Sequence, residues 1–196
     1  MKKSEAIIFL LSASIIALGS ILISHSPLFN LSILPILNIE QDLSLFPSIV
    51  WIYLSLCFYT LYLLKEMIIS SPSSKVAKLL LSFNIAILCF NFFFPIVYPR
   101  DFHPLPLIND TSHHLLSLLR QINQPIGTSP SILIVNCFVM SYLIFRDKKK
   151  VLYPLYLFLL IATYSLIFLK QNYVIGLSFS LFISFIFIQL LKKYQK

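Results

Sequence analysis

Charge is what this sequence has least of. Asp, Glu, Lys and Arg together make up 11% of it, where a soluble domain carries about 25%. That deficit argues against an ordinary water-facing globule as strongly as any excess of apolar residues. Cysteine is scarce too. Cys57, Cys89 and Cys137 each lie inside an apolar stretch, and an odd number of isolated thiols excludes a disulfide framework. They read as small packing residues. No cysteine or close carboxylate cluster accompanies the histidines, so neither a metal site nor a cofactor is expected. The strict period-2 alternation of a transmembrane barrel is missing, and there is no internal repeat or low-complexity tract. The formal charge of +8 comes with no aromatic-basic patch, which argues against nucleic acid as a partner.

Apolar residues are abundant, at 58% of the chain, with 18 Phe and 10 Tyr suited to lipid-facing and interfacial surfaces. A membrane span needs about 20 apolar residues. Six runs approach that length: 6–23, 47–64, 76–98, 129–145, 151–169 and 173–191. In hydrocarbon each backbone must satisfy its own hydrogen bonds, so each run is expected to be a helix. The fold class expected is all-α integral membrane, one domain over residues 1–196. The run 6–23 follows Met1-Lys2-Lys3 and also fits a signal peptide, though it exceeds the usual apolar core of about 7–15 residues.

Lys and Arg in short loops set orientation. Lys2 and Lys3; Lys65, Lys75 and Lys78; Arg146 and Lys148 to Lys150; and Lys192, Lys193 and Lys196 all fall on one side if six spans alternate. That places twelve of fifteen basic residues on the cytoplasmic side, with both termini, in a multi-pass protein of the cell membrane. The other side holds Arg100, Arg120 and Lys170 and all four histidines: His25, His103, His113 and His114. It also holds two long connections. Residues 24–46 read as an interfacial or re-entrant stretch, and 99–128 as a proline-rich loop long enough to be functional.

Three outward features carry possible chemistry. Pro95-Ile-Val-Tyr-Pro99-Arg100 ends the third run. Ser129-Pro130-Ser131 opens the fourth, with Ser129 expected as N-cap and Pro130 as the first helical residue. Lys170-Gln171-Asn172-Tyr173 links the last two. A helix start offers free N–H groups and a partial positive charge to an anion. Ser131 adds a hydroxyl, Arg100 a bidentate fork and Lys170 a point charge. Together they would hold a phosphate at the membrane surface.

In this order and on this side, the features resemble the type 2 phosphatidic acid phosphatase superfamily, nearest its inositol-phosphorylceramide-synthase-like branch. The resemblance covers residues 47–191. Phe46-Pro47 leading into Ile52-Tyr53-Leu54-Ser55 is similar to that branch's second helix. The stretch from Pro95 to Arg100 is similar to its first motif, and Pro125 to Ser131 to the approach to its Pro-Ser-x-His motif. Lys170 to Gly176 resembles a lysine-glutamine-histidine-tyrosine stretch ending in aspartate. The resemblance implies a six-helix core in which one histidine attacks phosphorus, an aspartate orients it and a second histidine protonates the leaving group.

Those positions hold Asn172, Gly176 and Leu133 here. Ser165 keeps a serine of the third motif, but Leu166 stands where Arg or Thr is expected. An amide does not accept a phosphoryl group at neutral pH, and Leu moves no proton. The expectation is a catalytically inactive relative that binds a phospholipid headgroup through Arg100, Ser131, Lys170 and Asn172, with or without a protein partner. One alternative is an active phosphatase or phosphotransferase using His103, His113 or His114. Another is a small transporter, against which stands the near absence of charge within the spans.

Overall fold

The computed structural model describes Gly19 and residues 44–70, 74–97, 110–122, 130–169 and 173–194. The described residues are mostly helical, with no strand among them. A 3₁₀ turn, Pro47–Ile49, leads into α1, Val50–Ser70. Then come α2, Ser74–Phe93; α3, Thr111–Ile122; and α4, Ile132–Phe145. Helix α5, Lys149–Ser165, tightens into a 3₁₀ turn at Leu166–Leu169, and α6 spans Val174–Tyr194.

Four of these stretches are long and apolar enough to cross a membrane: Pro47–Ser70, Lys75–Phe93, Lys149–Leu169 and Val174–Lys193. Twenty helical residues rise about 30 Å, the thickness of the hydrocarbon core. Their outward faces are apolar. Phe58, Ile161 and Phe185 are 69%, 64% and 60% exposed, a surface that lipid solvates and water does not. The chain is a multi-pass, membrane-embedded protein, all-α among its described residues.

Local chemistry moves several boundaries away from the apolar runs. Pro47 sits in the first turn, where its missing N–H is no loss. The run 47–64 stops at Lys65 and Glu66 by composition, but α1 continues to Ser70, because long charged side chains at a helix end can reach the interface. The run 76–98 is cut short at Phe93. Pro95 disfavours helix at Phe94 and offers no N–H of its own.

The segment expected to span as 129–145 is the largest departure. Its helix covers only 14 residues, Ile132–Phe145, about 21 Å. Eight consecutive residues, Ile134 to Ser141, are buried. Helices α1, α2, α5 and α6 all pack on it, so α4 is an enclosed central post. Tyr59 Oη pairs with Ser141 Oγ at 2.8 Å, Thr60 Oγ1 with Cys137 Sγ at 3.1 Å, and Tyr156 Oη donates to Phe138 O at 3.2 Å. These bonds fix its rotation and height.

The core divides along the bundle axis. One half packs Leu63, Met67, Leu80, Val139, Phe187 and Leu191, with Phe83 stacked on Phe187 at 3.9 Å between ring centres. The other gathers Val50, Leu56, Leu116, Phe138, Leu166 and Leu177. Leu116 belongs to α3, so residues 111–122 are not loop, as their setting between prolines suggested. They form an amphipathic helix docked on the bundle. Leu116 is fully buried and Leu115 and Leu119 pack beside it, an i, i+1, i+4 stripe. Trp51 Nε1 donates to Ser112 Oγ at 3.2 Å and Arg120 Nη2 to Leu169 O at 3.4 Å.

Connectivity gives the bundle two unlike ends. One gathers Lys65, Lys75, Lys78, Arg146, Lys148 to Lys150, Lys192 and Lys193. At the other, Arg120 is the only basic residue among the described residues. The expected span 6–23 and the stretch 24–43 lie outside the described residues, except Gly19. That glycine is helical, and a Cβ there would meet Leu88 of α2 at 3.2 Å.

Candidate functional site

The candidate site is at the end with little basic charge. Its frame is set by the way the chain enters α4. Ser129 was expected to cap this helix with Pro130 as its first residue. Instead the cap position is Ser131, with extended backbone at φ −76° and ψ 113°, and its side chain makes no capping bond. Pro130 lies outside the helix, buried. Tertiary bonds explain the delay. Asn91 Nδ2 of α2 donates to Pro130 O at 3.2 Å, and the Ser131 N–H donates to Ser180 Oγ of α6 at 2.8 Å. Ser180 is six residues into α6, roughly 9 Å along its axis. Irregular backbone at such depth is tolerated when protein satisfies its polar groups, and here two side chains do so.

A third bond joins the remaining pieces. Tyr173 is 1% exposed, and its hydroxyl donates to Val97 O at 2.7 Å. That ties the α5–α6 link to the segment following α2. Phe46 N donates to Phe168 O at 3.1 Å and anchors the entry to α1 against the end of α5. The stretches leading to Arg100, to Ser131 and to Lys170 therefore share one hydrogen-bonded frame. The side chains of Arg100, Lys170 and Asn172 lie outside the described residues, as do His25 and His103.

The other expected positions are accounted for individually. Leu133 is half-buried and packs on the core half around Leu116. Gly176 is buried and its carbonyl accepts the Ser180 hydroxyl at 2.8 Å. Ser165 donates to Ala162 O at 2.7 Å, and Leu166 is buried core. His114 is exposed on α3. His113 is turned inward, 3.7 Å from Asp110 Oδ2, with neither ring nitrogen hydrogen-bonded. Among the described residues no group of three His, Cys, Asp or Glu could hold a metal ion. All three cysteines are free.

The chemistry available in the described part is donor chemistry. The first intrahelical bond of α4 runs from Val135 N to Ser131 O at 3.0 Å, so the N–H groups of Ile132 to Ile134 have no intrahelical acceptor and no cap from the Ser131 side chain, while the Ser131 N–H is taken by Ser180. That mouth suits an anion. Of the residues that hold the frame together, Tyr173 lay within the Lys170-Gln171-Asn172-Tyr173 feature, while Asn91 and Ser180 did not stand out in the sequence. Their signal was a polar group within an apolar run, where each needs a partner.

Comparison of the chain with family profiles, with curated proteins and with solved structures finds no match.

Proposed function

We propose that the chain is a six-span relative of the type 2 phosphatidic acid phosphatase superfamily. In this reading it is catalytically inactive and binds a phospholipid headgroup at the outer face of the cell membrane, with both termini in the cytoplasm. Arg100, Ser131, Lys170 and Asn172 hold the phosphate. Asn172 donates an N–H where the superfamily has its nucleophile, and Leu133 and Gly176 replace the acid and the orienting aspartate. The observation that carries the reading is the frame itself. The bonds Tyr173–Val97, Asn91–Pro130 and Ser131–Ser180 tie together the three segments from which the phosphate ligands would come.

The test pairs turnover with binding on purified protein. Phosphate release from phosphatidic acid should stay at background, because the covalent route and the general acid are both absent, and acid–base help alone is worth roughly 10²–10⁴-fold. Binding of phosphatidic acid should persist, weaken in Arg100→Ala/Lys170→Ala, and weaken further with added salt. A Leu133→His/Asn172→His variant asks whether restoring the two histidines raises turnover. Turnover by the wild type that disappears on changing His113 or His114 would refute the proposal in favour of a relocated catalytic histidine.

A further inference from the structure

At the Lys/Arg-rich end, α4, α5 and α6 part to leave a cleft of about 760 Å³. Three cations line it, each from a different place: Arg146 just past α4, Lys149 opening α5 and Lys192 in the last turn of α6. One carboxylate, Asp147, also lines it and lies 3.7 Å from Arg146 Nε. That pairing leaves Lys149 and Lys192 as the surplus positive charge. Lys192 Nζ sits 5.8 Å from the centre of the Tyr142 ring, which forms part of the wall, a cation–π contact that holds the ammonium at the cleft.

The wall changes character away from the charged rim. Phe185 and Ile188 of α6 and Leu152 and Tyr153 of α5 line the deeper part. Phe185 lies seven residues before Lys192, roughly 10 Å nearer the bilayer centre. Phe185 and Tyr153 are 60% and 66% exposed, so the cleft opens sideways onto the face that meets lipid. A free phosphate needs only the rim. A phospholipid uses both parts, with headgroup on the lysines and acyl chain along Phe185 and Tyr153.

We infer that this cleft is an anionic-phospholipid site, separate from the phosphate site proposed at the opposite end. Lys149 and Lys192 hold the headgroup and the α5–α6 groove takes the adjoining chain. Basic pockets between spans recognise acidic headgroups through local charge, and each lysine close to the surface strengthens the attraction severalfold. The site does not depend on the orientation of the protein or on the reading of the other end.

The test uses purified full-length protein in zwitterionic micelles, titrated with short-chain phosphatidylglycerol. Lys149→Gln/Lys192→Gln should weaken binding on the order of tenfold. The charge-matched pair Lys65→Gln/Lys193→Gln, outside the cleft, should leave it nearly unchanged. Lys149→Arg/Lys192→Arg keeps the charge and should keep binding. Excess inorganic phosphate should fail to compete. Equal weakening in the two glutamine pairs would mean a diffuse field of charge and overturn the inference. So would loss of binding in the arginine pair. Full competition by inorganic phosphate would overturn the lipid assignment.

Discussion

Two serines one turn apart on α6 provide a direct test of what holds the candidate site. Ser180 and Ser184 are both buried, and each hydroxyl donates to the carbonyl four residues earlier, Gly176 O at 2.8 Å and Ser180 O at 2.7 Å. Those carbonyls already accept their helical N–H, so losing either hydroxyl leaves no carbonyl without a partner. The difference is the Ser131 N–H, which donates to Ser180 Oγ at 2.8 Å. Ser180→Ala orphans that N–H beside the buried Pro130. An unpaired buried donor costs about 1–3 kcal/mol, while hydrogen bonds between spans average about 0.6 kcal/mol and reach about 1.7. The expected loss is about 1–2 kcal/mol for Ser180→Ala and no more than about 0.5 kcal/mol for Ser184→Ala. Unfolding by SDS in mixed micelles measures both. Trp51 is the only tryptophan in the chain, and its ring nitrogen is bonded to Ser112 at the same end, so its fluorescence reports on the region. A Ser180→Ala cost no larger than that of Ser184→Ala would show that the entry to α4 does not rely on this bond.

Leu116→Ala should destabilise the docking of α3 by about 2–5 kcal/mol, the range for a fully buried leucine. Protease cleavage within 111–122 should become faster in the variant, and unchanged cleavage would contradict the docked amphipathic helix. For orientation, single cysteines at Asn109 and Lys149 in a cysteine-free background should react oppositely with an impermeant maleimide applied to intact cells. Labelling at Asn109 alone supports a cytoplasmic Lys/Arg-rich end, and equal labelling at both would sink the six-span arrangement.

Much of the fold could be read from the sequence because lipid is a demanding solvent. It requires runs of about 20 apolar residues and leaves helix as their one open conformation, so four long helices fall close to their expected places. Errors arose where a local rule met a tertiary bond. Ser129-Pro130 has the local signature of a helix start, yet Asn91 and Ser180 draw the next backbone groups aside and the helix opens at Ile132. Helix α3 was hidden for a different reason. Its stripe of Leu115, Leu116 and Leu119 is short, and the prolines in the flanking sequence made the whole interval read as loop. The expected site residues were legible only as motifs. The polar residues that join their segments were not, because Asn91 and Ser180 gain meaning from partners distant in the chain, as does the Tyr173 hydroxyl, whose residue the sequence offered only as part of the α5–α6 link.

The shortness of α4 also bears on how the bundle comes together. At 14 residues it is about 9 Å short of the hydrocarbon thickness. Alone in a bilayer it would thin the membrane around itself, at a fraction of a kcal/mol for each ångström of mismatch. Enclosed by α1, α2, α5 and α6, it meets side chains instead of acyl chains and that deformation is relieved. In the proposed six-span arrangement, hydrophobic mismatch thus becomes a force for association, amounting to a few kcal/mol, that adds to the packing between helices. It acts only when the short helix is surrounded, and so favours complete assembly over partial pairs of spans.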